Sequence, residues 1–424
     1  MKSIFQLFIR GGIPVSVPVN METSVPVNTI PGRKAPLLFC MSVIVAAAAA
    51  MITEGLIMAM QALSTYSGLP GMARDLDEHD LLVLLVPVIV TLIIALVLRY
   101  AGEKTRQLLR PLQSILSINA GIPLGLEGSL IDLPLTAAGL VKKGGARQKQ
   151  ILAAAAMAGG IAFLFGSPLA VIALIIELLM VELTWMGITA VILGGGTGML
   201  LHYWLRGSEP VFMMPELTMA GVPALLGYTI TGLLVGLVAI LAKKMVNGMG
   251  SLFQKLPVDR LWWPVAGAIL TGVLGYFSPE ILGAGYEHID NLLLGQVTLQ
   301  FLVVMALGKL LLMSITVSSG IPGGTIAPLL VSGGALGLFV TFLLQFMFPA
   351  VQLNFALAAL VGMTAMFAGG NRVLPAAIFF AIETTHVTNA LLPVICGCTA
   401  AYLVVFLLAK KKVAQPAVLP ENIS

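Results

Sequence analysis

The stretch "GIPLGLEGSLI", Gly121–Ile131, places a single acid, Glu127, among glycines in an otherwise apolar region. A second stretch, "GIPGGTIAPLL", Gly320–Leu330, repeats it at an offset of 199 residues without a gap. Gly121, Ile122 and Pro123 meet Gly320, Ile321 and Pro322; Gly125 meets Gly324, Leu126 meets Thr325, Glu127 meets Ile326, and Leu130 meets Leu329. A related pair follows. "AFLFGSPLAVIALIIEL" carries Glu177 and "AMFAGGNRVLPAAIFFAIET" carries Glu383, two acids 206 residues apart. The chain therefore reads as two structural repeats.

Interrupted apolar segments at matching places in two halves point to a substrate site at the repeat interface. A helix that starts inside the membrane leaves its first amide N–H groups unpaired. Those amides form the positive end of the helix dipole. Two such ends converging from two repeats would hold an anion without a full cation. Glycines ahead of each start let the backbone come close to the ion. Gly125, Leu126 and Gly128 in the first copy, and Gly324, Thr325, Ile326 and Ala327 in the second, are the expected anion-binding residues. The bland alternative is a pair of ordinary glycine turns.

Composition sets the class. The 424 residues are 58% hydrophobic and 10% charged, with a mean hydropathy of +1.01. Soluble domains carry about 25% charged residues, so this is an all-α polytopic membrane protein. Apolar stretches fall near 37–63, 81–98, 151–183, 186–204, 220–242, 264–277, 301–317, 329–348, 355–368 and 391–408. Several are too short or too glycine-rich for a plain span of about 20 residues, and such segments are tolerated only against protein or a wet cavity. Lys2, Arg10, Arg33 and Lys34, then Lys142, Lys143, Arg147 and Lys149, then Lys410, Lys411 and Lys412 form three basic clusters. The positive-inside rule puts all three in the cytoplasm. The expected organisation is a cytoplasmic segment over 1–35, a transmembrane domain over 36–408 with halves near 36–205 and 215–408, and a basic tail over 409–424. No cleavable signal is expected. Cys40, Cys396 and Cys398 read as small core residues. No nucleic-acid partner, metal or other cofactor is expected, since no P-loop, HExxH or histidine cluster occurs.

At this point the residues resemble the CLC chloride channel and transporter family. Its G-[K/R]-E-G-P motif is similar to "GLEGS", Gly125–Ser129, and its G-x-F-x-P motif to "GTIAP", Gly324–Pro328. "GSPLAVIALIIELL", "LGAGYEHIDNLLLG" and "LLLMSITVSSGIPGGTIAP" also resemble the family over roughly 81–408. The resemblance implies an inverted-repeat fold with tilted and half-membrane helices. It implies a homodimer with one anion pathway per subunit, chloride first among the anions, in a bacterial plasma membrane and without C-terminal regulatory domains. It makes Glu127 the gate. Departures are Leu126 for the basic residue, Ser129 for the proline and Ile326 for the aromatic. The family's G-S-G-I-P serine motif has no room ahead of Gly121, and its anion-binding tyrosine would lie beyond Leu408, where none occurs.

Glu127 is the central expectation. An intramembrane carboxylate is costly and marks function by default; the alternative is a helix cap. Glu177 matches the first of the family's paired inner acids, the second being Leu178, with Glu182 one turn on. Glu177 and Glu182 are thus a possible proton pathway, although capping is the more ordinary role for Glu177 and Glu383. Lys309 is read as snorkelling, with a pore-facing role as the alternative, Arg372 as anchoring carbonyls or Glu383, and His386 as an interfacial polar residue rather than a proton relay. Three function classes follow. The first is an anion pathway, leaning to channel-like conduction because Leu178 removes the relay, with proton-coupled antiport as its alternative. The second is a non-conducting scaffold or sensor. The third is an intramembrane enzyme, which would need a catalytic constellation not visible here.

Overall fold

The computed structural model describes residues 35–67, 81–140, 145–178, 184–215, 217, 219–295 and 297–408. The helices are α1 Ala35–Ser67, α2 Leu81–Tyr100, α3 Glu103–Asn119, α4 Glu127–Leu140, α5 Ala146–Phe165, α6 Pro168–Leu178, α7 Trp185–Arg206 and α8 Val222–Phe253. They continue as α9 Trp263–Phe277, α10 Tyr286–Leu293, α11 Leu299–Ser319, α12 Ile326–Met347, α13 Phe355–Asn371, α14 Leu374–Thr385 and α15 Leu391–Leu408. Eight of these are long and apolar enough to cross a membrane: α1, α2, α5, α7, α8, α11, α12 and the segment Thr388–Leu408 that contains α15. The protein is a multi-pass membrane protein.

The spans divide by what covers them. Only 22% of the most apolar window of α2 is buried within the protein, against 83% for α12. Leu81, Leu85, Ile89, Ile93 and Leu96 of α2 are exposed on the surface of the chain, an apolar face that suits lipid or another apolar surface. α13 is buried from Ala356 to Asn371 and forms the centre of the molecule. Close approach of backbones holds the interior. A Cβ on Gly194 or Gly198 of α7 would overlap the Ala155 or Gly159 carbonyl of α5. Gly333 and Gly337 of α12 meet Gly362 and Ala358 of α13 in the same way. Lipid tails are as apolar as the side chains, so association rests on this kind of small-residue packing.

The apolar stretch 151–183 is not one element. Gly166 takes a left-handed conformation with φ 59°, and Pro168 then opens α6. α6 has 11 residues and α14 has 12, so at about 1.5 Å per residue each spans roughly half of a ~30 Å hydrocarbon core. α11 is also interrupted. Val304–Gly308 forms a π-helical turn just ahead of Lys309. Between α2 and α3 only Ala101 and Gly102 intervene, so no helix fits where the serine motif would lie.

Candidate functional site

The two glycine-rich stretches meet face to face. Gly125 N–H donates to the Gly324 carbonyl at 2.9 Å, and Gly324 N–H donates to the Gly125 carbonyl at 2.7 Å. This is an isolated antiparallel bridge. Each glycine pairs with the residue 199 positions away that matches it in the sequence repeat. The pairing also corrects an expectation. The amides of Gly125 and Gly324 are spent on each other and do not face an ion. These glycines make room instead: a Cβ on either would overlap the Glu127 carboxylate, and one on Gly128 would overlap the Gly323–Gly324 backbone.

Glu127 opens α4 and is fully buried. Its Oε1 accepts the N–H of Ile326 at 2.8 Å and of Ala327 at 3.1 Å. A carboxylate from the first repeat thus sits on the first amides of α12 in the second. Thr325 stands at the N-cap position of α12, yet its side chain makes no cap hydrogen bond. The orphan amides of α12 are met by Glu127. Leu126, Ile326 and Ala327 are buried around the carboxylate. The second oxygen is also held: Tyr286 Oη donates to Glu127 Oε2 at 2.7 Å. Sequence reasoning missed this residue. Its signal was "GAGYEHID", where two left-handed glycines, Gly283 and Gly285, deliver a tyrosine at the start of α10.

The remaining acids are arranged reciprocally. Glu177, near the end of α6, accepts the N–H of Ala376 in the first turn of α14 at 3.2 Å. Glu383, near the end of α14, accepts the N–H groups of Leu169 and Ala170 in the first turn of α6 at 3.0 and 2.9 Å. Each half-membrane helix is capped by the other's acid. Glu182 and the tail beyond Leu408 lie outside the described residues.

Lys309 does not snorkel. It is fully buried and its Nζ donates to the Leu282 carbonyl at 3.1 Å. Glu383 is bound to α6 amides, and Arg372 takes a left-handed conformation, φ 61°, where α13 ends. His386 does the same at the end of α14. Cys398 is buried, whereas Cys40 is exposed and so is not a core residue. Beside Ile326 lies an apolar void of about 10 Å³, lined by Phe165, Phe367 and Phe380 among others. Among the described residues no group of three His, Cys, Asp or Glu side chains could hold a metal.

Comparison with known proteins adds the family. Bacterial relatives titled H(+)/Cl(-) exchange transporter ClcA are similar in sequence. That of Vibrio parahaemolyticus is 26% identical over 303 residues, covering 69% of this chain and 65% of the relative. That of Citrobacter koseri is 29% identical over 297 residues, covering 68% and 63%. The chain thus spans just under two thirds of these relatives' length. A slow cyanobacterial Cl−/H+ antiporter superposes with a TM-score of 0.76 at 21% identity, over 89% of this chain and 96% of that one. A CLC-type fluoride/proton antiporter superposes with a TM-score of 0.70 at 21% identity, over 88% and 96%. These two share the fold. The profile described as "Voltage gated chloride channel" matches residues 103–405, well over half of the sequence, and the chain belongs to that family.

Proposed function

We propose that the protein carries a small anion, chloride first, across the bilayer in exchange for protons, and that Glu127 is the shared element of both movements. One observation carries the reading. The Glu127 carboxylate occupies the Ile326 and Ala327 amides, the place a helix N-terminus offers to an anion. Carboxylate and anion compete for the same donors. When Glu127 takes a proton its claim on the amides weakens, it swings out, and an anion enters. When the anion leaves, Glu127 returns and gives the proton up. The gate and anion-binding roles belong to this proposal, as do the homodimer and the two-half domain plan. The exchange titles of the bacterial relatives support the proton-coupled form.

A second reading, uncoupled anion conduction, is favoured by Leu178. It stands where the family's inner acid would be, and neighbouring Glu177 is engaged in capping α14. Purified protein in liposomes separates the two. Under an outward chloride gradient, exchange moves protons inward with chloride efflux, whereas conduction gives chloride efflux alone. No anion flux of either kind would overturn both readings in favour of a scaffold.

A further inference from the structure

We infer that Tyr286 is a third anion ligand of this site, supplying a hydroxyl beside the two amides. The inference rests on the anion reading of the Glu127 site and names the group that sets its preference. The carboxylate is held at both oxygens: Oε1 by Ile326 and Ala327, Oε2 by the Tyr286 hydroxyl at 2.7 Å. The three donors converge on the two oxygens of one small group, so an anion that replaces the carboxylate is placed within hydrogen-bond reach of all three. The position of Tyr286 is fixed by Gly285, left-handed at φ 84° ahead of α10, and by its ring lying 6.3 Å from that of Phe165. This tyrosine belongs to the middle of the chain, where α10 begins, and not to a helix after Leu408.

A hydroxyl donor discriminates among anions. It gains most from an ion of high charge density, which accepts a short, strong hydrogen bond, and least from a diffuse one. Tyr286 therefore tilts the site toward chloride over nitrate or thiocyanate. Loss of its hydroxyl should weaken chloride binding by about tenfold, the low end for a hydrogen bond to a charged partner, and nitrate binding by clearly less.

The test uses purified full-length Glu127→Ala protein, in which the carboxylate no longer occupies the amides. Isothermal titration with chloride and with nitrate is compared between Glu127→Ala and Glu127→Ala/Tyr286→Phe. The phenylalanine keeps the ring against Phe165. A tenfold rise in chloride Kd with a smaller rise for nitrate is expected. Equal weakening of both anions points to a general distortion and overturns the ligand role, as does a chloride Kd unchanged within twofold. Both results leave the anion reading of the site standing. Absence of any anion binding by folded Glu127→Ala protein overturns the anion reading and this inference with it. Should the double variant fail to fold, 3-fluorotyrosine at 286, a stronger donor, must tighten chloride binding; no tightening overturns the inference.

Discussion

Glu127 Oε1 accepts the backbone N–H of Ile326, the residue 199 positions on that holds Glu127's own place in the second repeat. The same offset joins Gly125 to Gly324 in their mutual pair. The two repeats therefore touch through equivalent residues, and the contact is symmetric in backbone but not in side chain. Had both positions carried acids, two carboxylates would compete for one place and one would be forced neutral. With an acid in one repeat and an isoleucine in the other, one charge is set against one helix end.

That asymmetry makes Glu127 decisive for flux. Glu127→Gln mimics the protonated carboxyl, and Glu127→Ala removes it. Acidification neutralises the wild-type group, so wild-type chloride flux should rise as pH falls. Both variants should show, at neutral pH, the flux that wild type reaches only in acid, with little further pH response. Both should fold, because a neutral side chain costs less in a membrane than an acid. Chloride efflux from liposomes between about pH 4 and 7.5, from near a carboxyl's ordinary value to well above it, checks this. A wild-type pH response in Glu127→Ala would reduce Glu127 to a cap.

Glycine at 128 is a packing requirement, testable by stability alone. A Cβ there overlaps the Gly323–Gly324 backbone, which is itself pinned by the Gly125–Gly324 pair. Gly128→Ala should cost about 1–3 kcal/mol, the ordinary cost of overpacking. Gly196→Ala is the control: nothing lies within 4 Å of a Cβ there, and in a helix interior alanine gains up to about 1 kcal/mol over glycine. Thermal unfolding in detergent should show Gly128→Ala well below wild type and Gly196→Ala level with it or above.

These residues also show what was legible beforehand. The class, the repeat and the acid at a helix start could be read because glycine, proline and a lone carboxylate are improbable in hydrocarbon and mark their own positions. The convergence of Glu127 on Ile326 and Ala327 followed from two helix starts needing one partner. For Tyr286 the glycines of "GAGYEHID" mark a turn but not its partner, since the residue is joined to Glu127 across 159 residues and tyrosine is unremarkable in a membrane chain. The same holds for the spent amides of Gly125 and Gly324, because hydropathy says nothing about which backbone groups pair. Lys309 was misjudged because snorkelling assumes a route to water, whereas it lies fully buried against the Leu282 carbonyl.

The crossed caps predict unequal losses. Glu383 accepts two amides of α6 at 3.0 and 2.9 Å, while Glu177 accepts the Ala376 amide at a longer 3.2 Å together with a backbone hydrogen bond from Leu374, so the two caps differ in bond length rather than in number. Hydrogen bonds from amides to a carboxylate are worth about 1.5–3 kcal/mol, and loss of an N-cap costs about 0.5–2 kcal/mol. Glu383→Ala should lower stability by about 2 kcal/mol and Glu177→Ala by less. Thermal unfolding of the two variants ranks them; Glu177→Ala falling further than Glu383→Ala would contradict the capping assignment.

Coupling is the last and sharpest prediction. On the exchange reading a proton must pass between Glu127 and the inner side, and Leu178 stands where the family resemblance places the inner relay acid. Glu177 is a poor substitute while its carboxylate caps α14. Proton movement should therefore accompany chloride movement, but slowly. In liposomes carrying an outward chloride gradient, wild type should take up protons. Glu127→Ala should lose that uptake while chloride still flows, because the shared group is gone. Leu178→Glu should speed proton uptake several-fold by restoring an acid one position from Glu177, with chloride binding unaltered. Glu177→Gln keeps one acceptor oxygen for the Ala376 amide, so it should leave uptake close to wild type if Glu177 is a cap and nothing more. Uptake abolished by Glu177→Gln, in protein that still melts like wild type, would make Glu177 the relay after all. Wild-type chloride flux with no proton movement at any pH would instead leave uncoupled conduction as the function.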